Sequence, residues 1–401
     1  MSDIALGFVN TVDYEAAWDP AALEAFTASS GVAPADIGPK ARIRTLRDLL
    51  GSTLWHFAEG TGCGQYVEDP AALEALLDIL CCRTTLGGTA VRAALVLERL
   101  GLTSLVHLVS NNAPTRLLLP ASVETVCSGK GEVLLPHVTL QFPAGAQLNV
   151  VGRLLTAPRA NRVIYTSDLD AARLEIAPAF FAQAADCRVM VLSSFDIVQS
   201  REILDARLDT VRQGLEALRD RAWVFYEDAH IAQPDFPSVI LRALLPRIDV
   251  YSMNEDEFAA RLGHPVDYGD PVDVSCALSQ ARALIPAPCL VLHTQCWALA
   301  CGPLAGLMRE ALALGCAVAS TRYRLGDDWT LSDIHNALHG PRYPQAERFA
   351  HELEALCPFE IAVQPSFEAH PDAPTTIGLG DSFVGGFAAA LARAPRPAPN
   401  D

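Results

Sequence analysis

After Asp170 the chain settles into a rhythm that few folds can satisfy. Residues 189–192, 223–226, 249–252 and 290–292 are short apolar runs, and helical segments separate them. The longest, 201–221, carries Ile203, Leu204, Leu208, Val211, Leu215 and Leu218 along one face. Strands alternating with amphipathic helices predict an α/β fold with a central, mostly parallel sheet and helices on both faces.

The first 170 residues add a second character. Residues 4–9 read as a strand with Asn10-Thr11-Val12-Asp13 at its end. Asp19-Pro20-Ala21-Ala22-Leu23-Glu24-Ala25 opens a helix with an N-cap aspartate and proline at the first helical position. The same seven residues return at 69–75 between unrelated flanks, a reused helix start and no internal repeat. Leu86-Gly87-Gly88-Thr89 leads into a helix over 90–100 that Gly101 closes, and 105–109 reads as a strand. Between 123 and 165 the pattern alternates, as in His137-Val138-Thr139-Leu140-Gln141-Phe142 and in 148–155, which predicts half-exposed antiparallel strands. The expected division is a large nucleotide-binding unit of 1–12, 56–136 and 169–401 and a smaller, discontinuous α+β lid of 13–55 and 137–168. The proline-rich 395–401 reads as a mobile tail.

Composition narrows the function classes. The chain has 401 residues, 50% hydrophobic and 19% charged, enough to bury a large core. Thirty basic against forty-seven acidic side chains give a formal charge of -17, which opposes nucleic acid or an anionic membrane as a partner. Eleven scattered cysteines with no C-x-x-C pair read as reduced, mostly buried thiols, and the amino terminus shows no signal-peptide pattern. Both predict a cytoplasmic protein, a monomer or small homo-oligomer. Residues 283–308 contain no Asp, Glu, Lys or Arg, but three prolines and His293-Thr294-Gln295 interrupt them. Two short strands, 289–293 and 297–301, followed by a helix fit better than a membrane span.

Chemistry concentrates near the carboxyl terminus. In Gly378-Leu379-Gly380-Asp381-Ser382-Phe383 a glycine turn becomes a helix, since Phe383, Phe387 and Leu391 recur every four residues. Such a junction offers backbone N–H groups and a helix dipole to an anion, beside a carboxylate able to take a proton from a hydroxyl. Glu227-Asp228 and Asn254-Glu255-Asp256-Glu257 follow two predicted strands, on the edge where open parallel sheets bind ligands. Carboxylates converging there are tolerable if a divalent cation and a polyphosphate share the site. Each cluster taken singly also reads as helix N-caps and first-turn acids.

Together these residues resemble the ribokinase superfamily, specifically its ADP-dependent glucokinase and phosphofructokinase branch. Gly378-Leu379-Gly380-Asp381 is similar to the family's G-x-G-D, Asn254-Glu255-Asp256-Glu257 to its N-x-x-E, and Glu227 to the glutamate of its H-x-E. Pro158-Arg159-Ala160-Asn161-Arg162-Val163-Ile164, Leu192-Ser193-Ser194, Leu292-His293-Thr294 and Gly87-Gly88 before a helix match in the same order. The resemblance implies a Mg2+-dependent carbohydrate kinase with small-molecule sugar and nucleotide as its partners. Asp381 would be the base, and the backbone of Gly378, Leu379 and Gly380 the anion hole. Glu257 and Asn254, with Glu227, would organise the metal shell. Asp13 would grip sugar hydroxyls, with Gly87-Gly88 letting backbone approach the sugar, and Arg162 would reach the nucleotide phosphates from the lid. A Walker-type kinase is excluded, since neither Lys40 nor Lys130, the only lysines, stands in G-x-x-x-x-G-K-[ST].

Several departures fall on the sugar side, none on Asp381 or the N-x-x-E pair. Val9 stands where the family reads Asn, Gln65 aligns with a glutamate, Thr89 with Asn or Gln, and Phe225 with the histidine of H-x-E. The expectation is a changed acceptor with retained phosphoryl machinery, using ADP. An ATP-dependent sugar or nucleoside kinase of the same fold, or a non-catalytic sugar- or nucleotide-binding homologue, are the alternatives. A Rossmann oxidoreductase lacks G-x-G-x-x-G after the first strand.

Overall fold

A computed structural model describes residues 2–129, 135, 137–218, 222–231, 233–369, 375 and 377–396. Its strands, in chain order, are β1 (Ile4–Gly7), β2 (Thr11–Ala16), β3 (Cys63–Tyr66), β4 (Cys82–Gly87), β5 (Ser104–Leu108), β6 (Glu124–Cys127), β7 (His137–Phe142) and β8 (Gln147–Val150). They continue with β9 (Arg153–Thr156), β10 (Asn161–Thr166), β11 (Val189–Leu192), β12 (Trp223–Glu227), β13 (Val250–Asn254), β14 (Cys289–His293), β15 (Trp297–Cys301) and β16 (Ile361–Pro365). The apolar runs become a nine-stranded sheet ordered β16-β15-β14-β13-β12-β11-β1-β5-β6. Alternation along each strand feeds two cores, one per face: Ile4, Leu6, Trp223 and Phe225 pack on one side, Ala5, Val224 and Tyr226 on the other. This is why these strands carry no polar face.

From β6 to β14 every pairing is parallel, while β15 and β16 pair antiparallel. The cause is local. Thr294 and Trp297 close a tight turn, with Thr294 Oγ1 accepting from Trp297 N at 3.1 Å and Thr294 N donating to Trp297 O at 2.9 Å, and so short a connection permits only a hairpin. Two reversals return β16 to the direction of the parallel strands, so its carboxyl end lies on the same edge as theirs.

The second sheet is ordered β3-β10-β7-β2-β4, with its own core around Phe57, Phe142 and Tyr165, and β8 and β9 form a separate hairpin. Segment assignments differ from the expected ones in three places. β3 and β4, expected with the larger unit, pair with β10 and β2 in the five-stranded sheet, because their half-exposed pattern suits a sheet with one wet face. β6, expected among antiparallel strands, extends the nine-stranded sheet parallel to β5. Asp13 lies inside β2, opposite Thr85 of β4 and His137 of β7, and so beyond the end of the first strand.

Helix ends follow the sequence signals. Asp19 and Asp69 cap their helices with side-chain oxygens, each ahead of a proline, and Gly101 takes φ 75 after the helix Thr89–Arg99. All cysteines are free, but only Cys187, Cys289, Cys301 and Cys316 are buried, fewer than expected. Among the described residues no helix is long and apolar enough to cross a membrane. Of the tail, 397–401 lie outside the described residues.

One buried polar group ties the sheet to the chain around it. His107 of β5 sits between Phe8 O, 2.7 Å from its Nδ1, and Ala177 N, which donates to its Nε2 at 3.0 Å. Burial, opposed in part by the Phe8 carbonyl, holds its pKa down at about 4 against the ordinary 6.5. The unfolded chain therefore binds a proton that the native one refuses. The stabilisation is complete above pH 6.5 and drains away as pH falls toward 4, by roughly 3 kcal/mol in all. Urea unfolding at pH 7.5 and pH ~5 is expected to show about 2 kcal/mol of this loss in the wild type and a flatter profile in His107→Gln. Equal slopes would count against it.

Candidate active site

The helix Leu379–Leu391 begins behind Gly378, whose φ of 68° lies in the left-handed region. Its sequence is nearly all small and apolar, so it can lie close against its neighbours. A Cβ on Gly385 would come within 2.8 Å of Val96 on the helix Thr89–Arg99, and one on Gly386 within 2.8 Å of the Leu314 carbonyl on the helix Arg309–Leu325. These glycines set the depth at which Asp381, in the first turn, meets the sheet edge. Its carboxylate is 22% exposed, open to the cleft on one side.

Cations surround it. Arg92 Nε lies 3.8 Å from Asp381 Oδ2, and the guanidiniums of Arg162 on β10 and Arg322 on Arg309–Leu325 also feel its charge. Burial lowers the pKa of Arg162, Arg92 adds to that, and Asp381, Asp256 and Glu257 oppose it. The small sheet thus points one arginine at carboxylates carried by the large one. Arg322 is anchored by Asp327 at 2.8 Å and by Ile377 O at 3.2 Å.

Of the residues expected to meet the acceptor, Asp13 is joined to Asp381 through Arg92, while Gln65 stands on β3, at the other edge of the five-stranded sheet from β2 and β4. Asp13 is buried, and both its oxygens are engaged: Thr11 Oγ1 donates to Oδ1 at 2.7 Å and Arg92 Nη2 to Oδ2 at 2.9 Å. Gly87 faces this carboxylate, for a Cβ there would stand 2.2 Å from Asp13 Oδ2, so the missing side chain makes room for Asp13. Gly88 has φ 87 and passes so close to Val9 that a Cβ would meet its carbonyl at 2.3 Å; Thr89 is the first helical residue after it. Gln65, on β3, donates to Lys40 O at 2.7 Å and accepts from Ser52 Oγ at 2.7 Å, which commits its amide to the protein.

A third group occupies the carboxyl ends of β11, β12, β13 and β14. Asn254 caps the helix Glu255–Leu262, its Oδ1 accepting from Asp256 N and Glu257 N at 2.9 Å each, while Glu257 Oε2 accepts from Asn254 N at 2.8 Å. The N-x-x-E stretch is thus a capping box. Capping leaves a strained charge balance, because burial first, then Asp228 and Glu227, raise the Glu257 pKa well above the carboxylate range. Asp228 is ion-paired with Arg261 and accepts from the Tyr251 hydroxyl at 2.8 Å. Glu227 takes Nε2 of His293 on Oε1 at 3.0 Å, but its Oε2 is buried without a hydrogen-bond partner. Burial opposes a charge on His293, and Glu227, Glu255 and Asp381 outweigh it and raise its pKa. Asp196, just past β11, is pushed up to about 6 by burial and by Asp228 and Asp381.

An orphaned buried carboxylate oxygen among repelling carboxylates fits a hard cation with oxygen ligands. Among the described residues no three His, Cys, Asp or Glu side chains stand close enough to cage a metal.

Sequence reading missed Arg92, Arg322, Asp196 and the part played by His293. The signal for Arg92 was present: Ala90, Val91, Ala93, Ala94, Val96 and Leu97 around it are all buried, so a charged residue there had to have buried partners. His293 ends a wholly buried strand on the ligand edge. Phe225, in place of the histidine of H-x-E, points into the core, its ring 5.3 Å from that of Phe387.

The family model described as the ADP-specific phosphofructokinase/glucokinase conserved region matches residues 2–276. No curated protein matches the chain. Among solved structures it is similar to a hypothetical ADP-dependent phosphofructokinase from Pyrococcus horikoshii OT3, at 15% identity and TM-score 0.76 over 98% of both chains. A phosphofructokinase from the same organism with AMP gives 15% and 0.74 over 98% of both. An ADP-dependent kinase complex with fructose-6-phosphate and ADPbetaS gives 14% and 0.77 over 98% of this chain and 94% of that one. At such identities the likeness carries the fold.

Proposed function

This chain belongs to the ADP-specific phosphofructokinase/glucokinase family, and from that premise we propose that it transfers the β-phosphoryl group of ADP to a hydroxyl of a sugar or sugar phosphate, releasing AMP. The observation that carries the reading is the position of Asp381: first turn of a helix, behind a left-handed glycine, within electrostatic reach of Arg162 and of His293, whose Nε2 meets Glu227. Asp381 accepts the acceptor's proton as the acceptor oxygen bonds to phosphorus and the bond to the AMP oxygen breaks. First-turn N–H groups at Leu379 and Gly380 have no helical partner and meet the transferring phosphoryl oxygens. Arg162 draws the donor's phosphates from the small sheet, so closing the sheets on each other excludes water that would hydrolyse the donor.

Glu227 and Glu257 would hold magnesium through water and the donor's phosphates, and its charge would offset that of the phosphoryl oxygens. Asn254 positions Glu257 by capping. His293 orients Glu227 through Oε1 and leaves Oε2 for the cation shell.

The acceptor side is where this chain departs. Asp13, Gly87, Gly88, Thr89 and Gln65 would serve it, yet Asp13 is engaged by Arg92 and Gln65 by Lys40 and Ser52. This supports an acceptor other than glucose or fructose 6-phosphate. The test is phosphoryl transfer with magnesium, ADP and ATP in parallel, against sugars, sugar phosphates and nucleosides. Turnover with ADP is expected; turnover with ATP alone would defeat the donor assignment, and turnover confined to glucose or fructose 6-phosphate would defeat the changed acceptor.

A further inference from the structure

We propose, on the reading of Asp381 as the base, that Arg92 is its positioning residue: the guanidinium fixes one carboxylate oxygen and leaves the other to the acceptor hydroxyl. Among the described residues Arg92 is the cation within 4 Å of Asp381, through Nε to Oδ2 at 3.8 Å. The adjacent Nη2 on the same edge of this planar group is held elsewhere. Nη2 donates to Asp13 Oδ2 at 2.9 Å and to Glu15 Oε1 at 3.2 Å, both on β2 of the small sheet. With 5% of its side chain exposed and one corner pinned, the guanidinium has no freedom to swing away from Asp381.

The backbone is shaped around this arrangement. A Cβ on Gly378 would lie 2.9 Å from Arg92 Nη1 and 3.0 Å from its Cδ, and a Cβ on Gly87 would displace the Asp13 carboxylate. Glycine in the G-x-G-D turn therefore serves the arginine as well as the phosphoryl group. Burial opposes the charge on Arg92, but Asp13, Asp381 and Glu15 outweigh it and keep the cation protonated throughout the working pH range. A counter-ion for Asp13 and Glu15 alone would need only the Nη2 corner. The Nε edge facing Asp381 is what assigns the second role.

Arg92→Met and Arg92→Lys, each alone and with Asp381→Asn, test it in the full chain. Displacing a base by about an ångström can cost ~10²-fold, so Arg92→Met is expected to lower kcat by about that much. The acceptor KM and Mg-ADP affinity should change less than ~3-fold, because the loss falls on the chemical step. Arg92→Lys should recover ~10-fold of it by keeping the charge without spanning both carboxylates. In the Asp381→Asn background Arg92→Met should cost no more than ~2-fold, since a residue acting through Asp381 has nothing left to position. Losses that multiply in full would overturn the proposal, as would wild-type kcat in Arg92→Lys should Arg92→Met fail to fold. Crystal structures decide the point without turnover. The Asp381 carboxylate should leave its wild-type rotamer in the Arg92 variants; an unmoved Asp381 overturns the positioning role, whereas a wild type inactive with every acceptor overturns only the reading of the site.

Discussion

Asp381→Asn is expected to lower turnover by ~10²–10⁴-fold while Mg-ADP still binds. The amide keeps the size of the carboxylate and its place in the first turn of Leu379–Leu391, so the glycine contacts that seat the helix are undisturbed. What it removes is proton affinity. An acceptor hydroxyl would then have to attack while still holding its proton, and the N–H groups around the phosphoryl oxygens would stabilise a transition state reached far less often. Two measurements separate this from a broken site. Equilibrium binding of Mg-ADP should match the wild type within a few-fold, and thermal unfolding should remain cooperative, because the amide keeps the place of the carboxylate while Asp13 and Glu15 still partner Arg92. A variant that turns over at near wild-type rate would remove Asp381 from the chemistry and with it the proposed phosphoryl transfer.

The fold was legible because its signals are local and repeated. Buried parallel strands such as β11 and β14 have no polar residue before their ends, and aspartate ahead of proline starts a helix wherever it occurs. Segment membership was harder. The strands Cys63–Tyr66 and Cys82–Gly87 are short and half-exposed, and a short alternating run does not state which sheet it will join. The G-x-G-D turn, the capping acids and Glu227 could be placed from sequence because each stands at a strand or helix end. Arg92, Arg322 and Asp196 could not, since their meaning lies in partners distant in the chain: Arg322 with Ile377, Arg92 with Asp381 and Asp196 with Asp228 and Asp381. Gly87 is the instructive case. A glycine beside a site suggests close approach by a ligand, whereas the neighbour that needs the space is the Asp13 carboxylate.

Arg261→Met is expected to cost about 3–5 kcal/mol of stability, because it leaves Asp228 buried and charged without its counter-ion. The Asp228 side chain is fully buried, with Arg261 Nε donating to Oδ2 at 2.6 Å and Nη2 to Oδ1, and the Tyr251 hydroxyl adding a third contact. Methionine fills similar volume and provides no donor. In denaturant titrations the loss should appear as a lower midpoint at an unchanged slope. Asp228→Asn combined with Arg261→Met should recover much of it, since a buried amide costs far less than a buried carboxylate. A single variant as stable as the wild type would show that Asp228 is neutral or solvated. The pair also bears on metal binding. With Arg261 present, Asp228 is an internal counter-ion and Glu227 Oε2 is the buried oxygen left without a partner. Without it, Asp228 adds an unneutralised charge to Glu227 and Glu257, so manganese, as a magnesium surrogate, should bind the variant more tightly in the absence of nucleotide. Weaker binding would place the cation away from the end of β12.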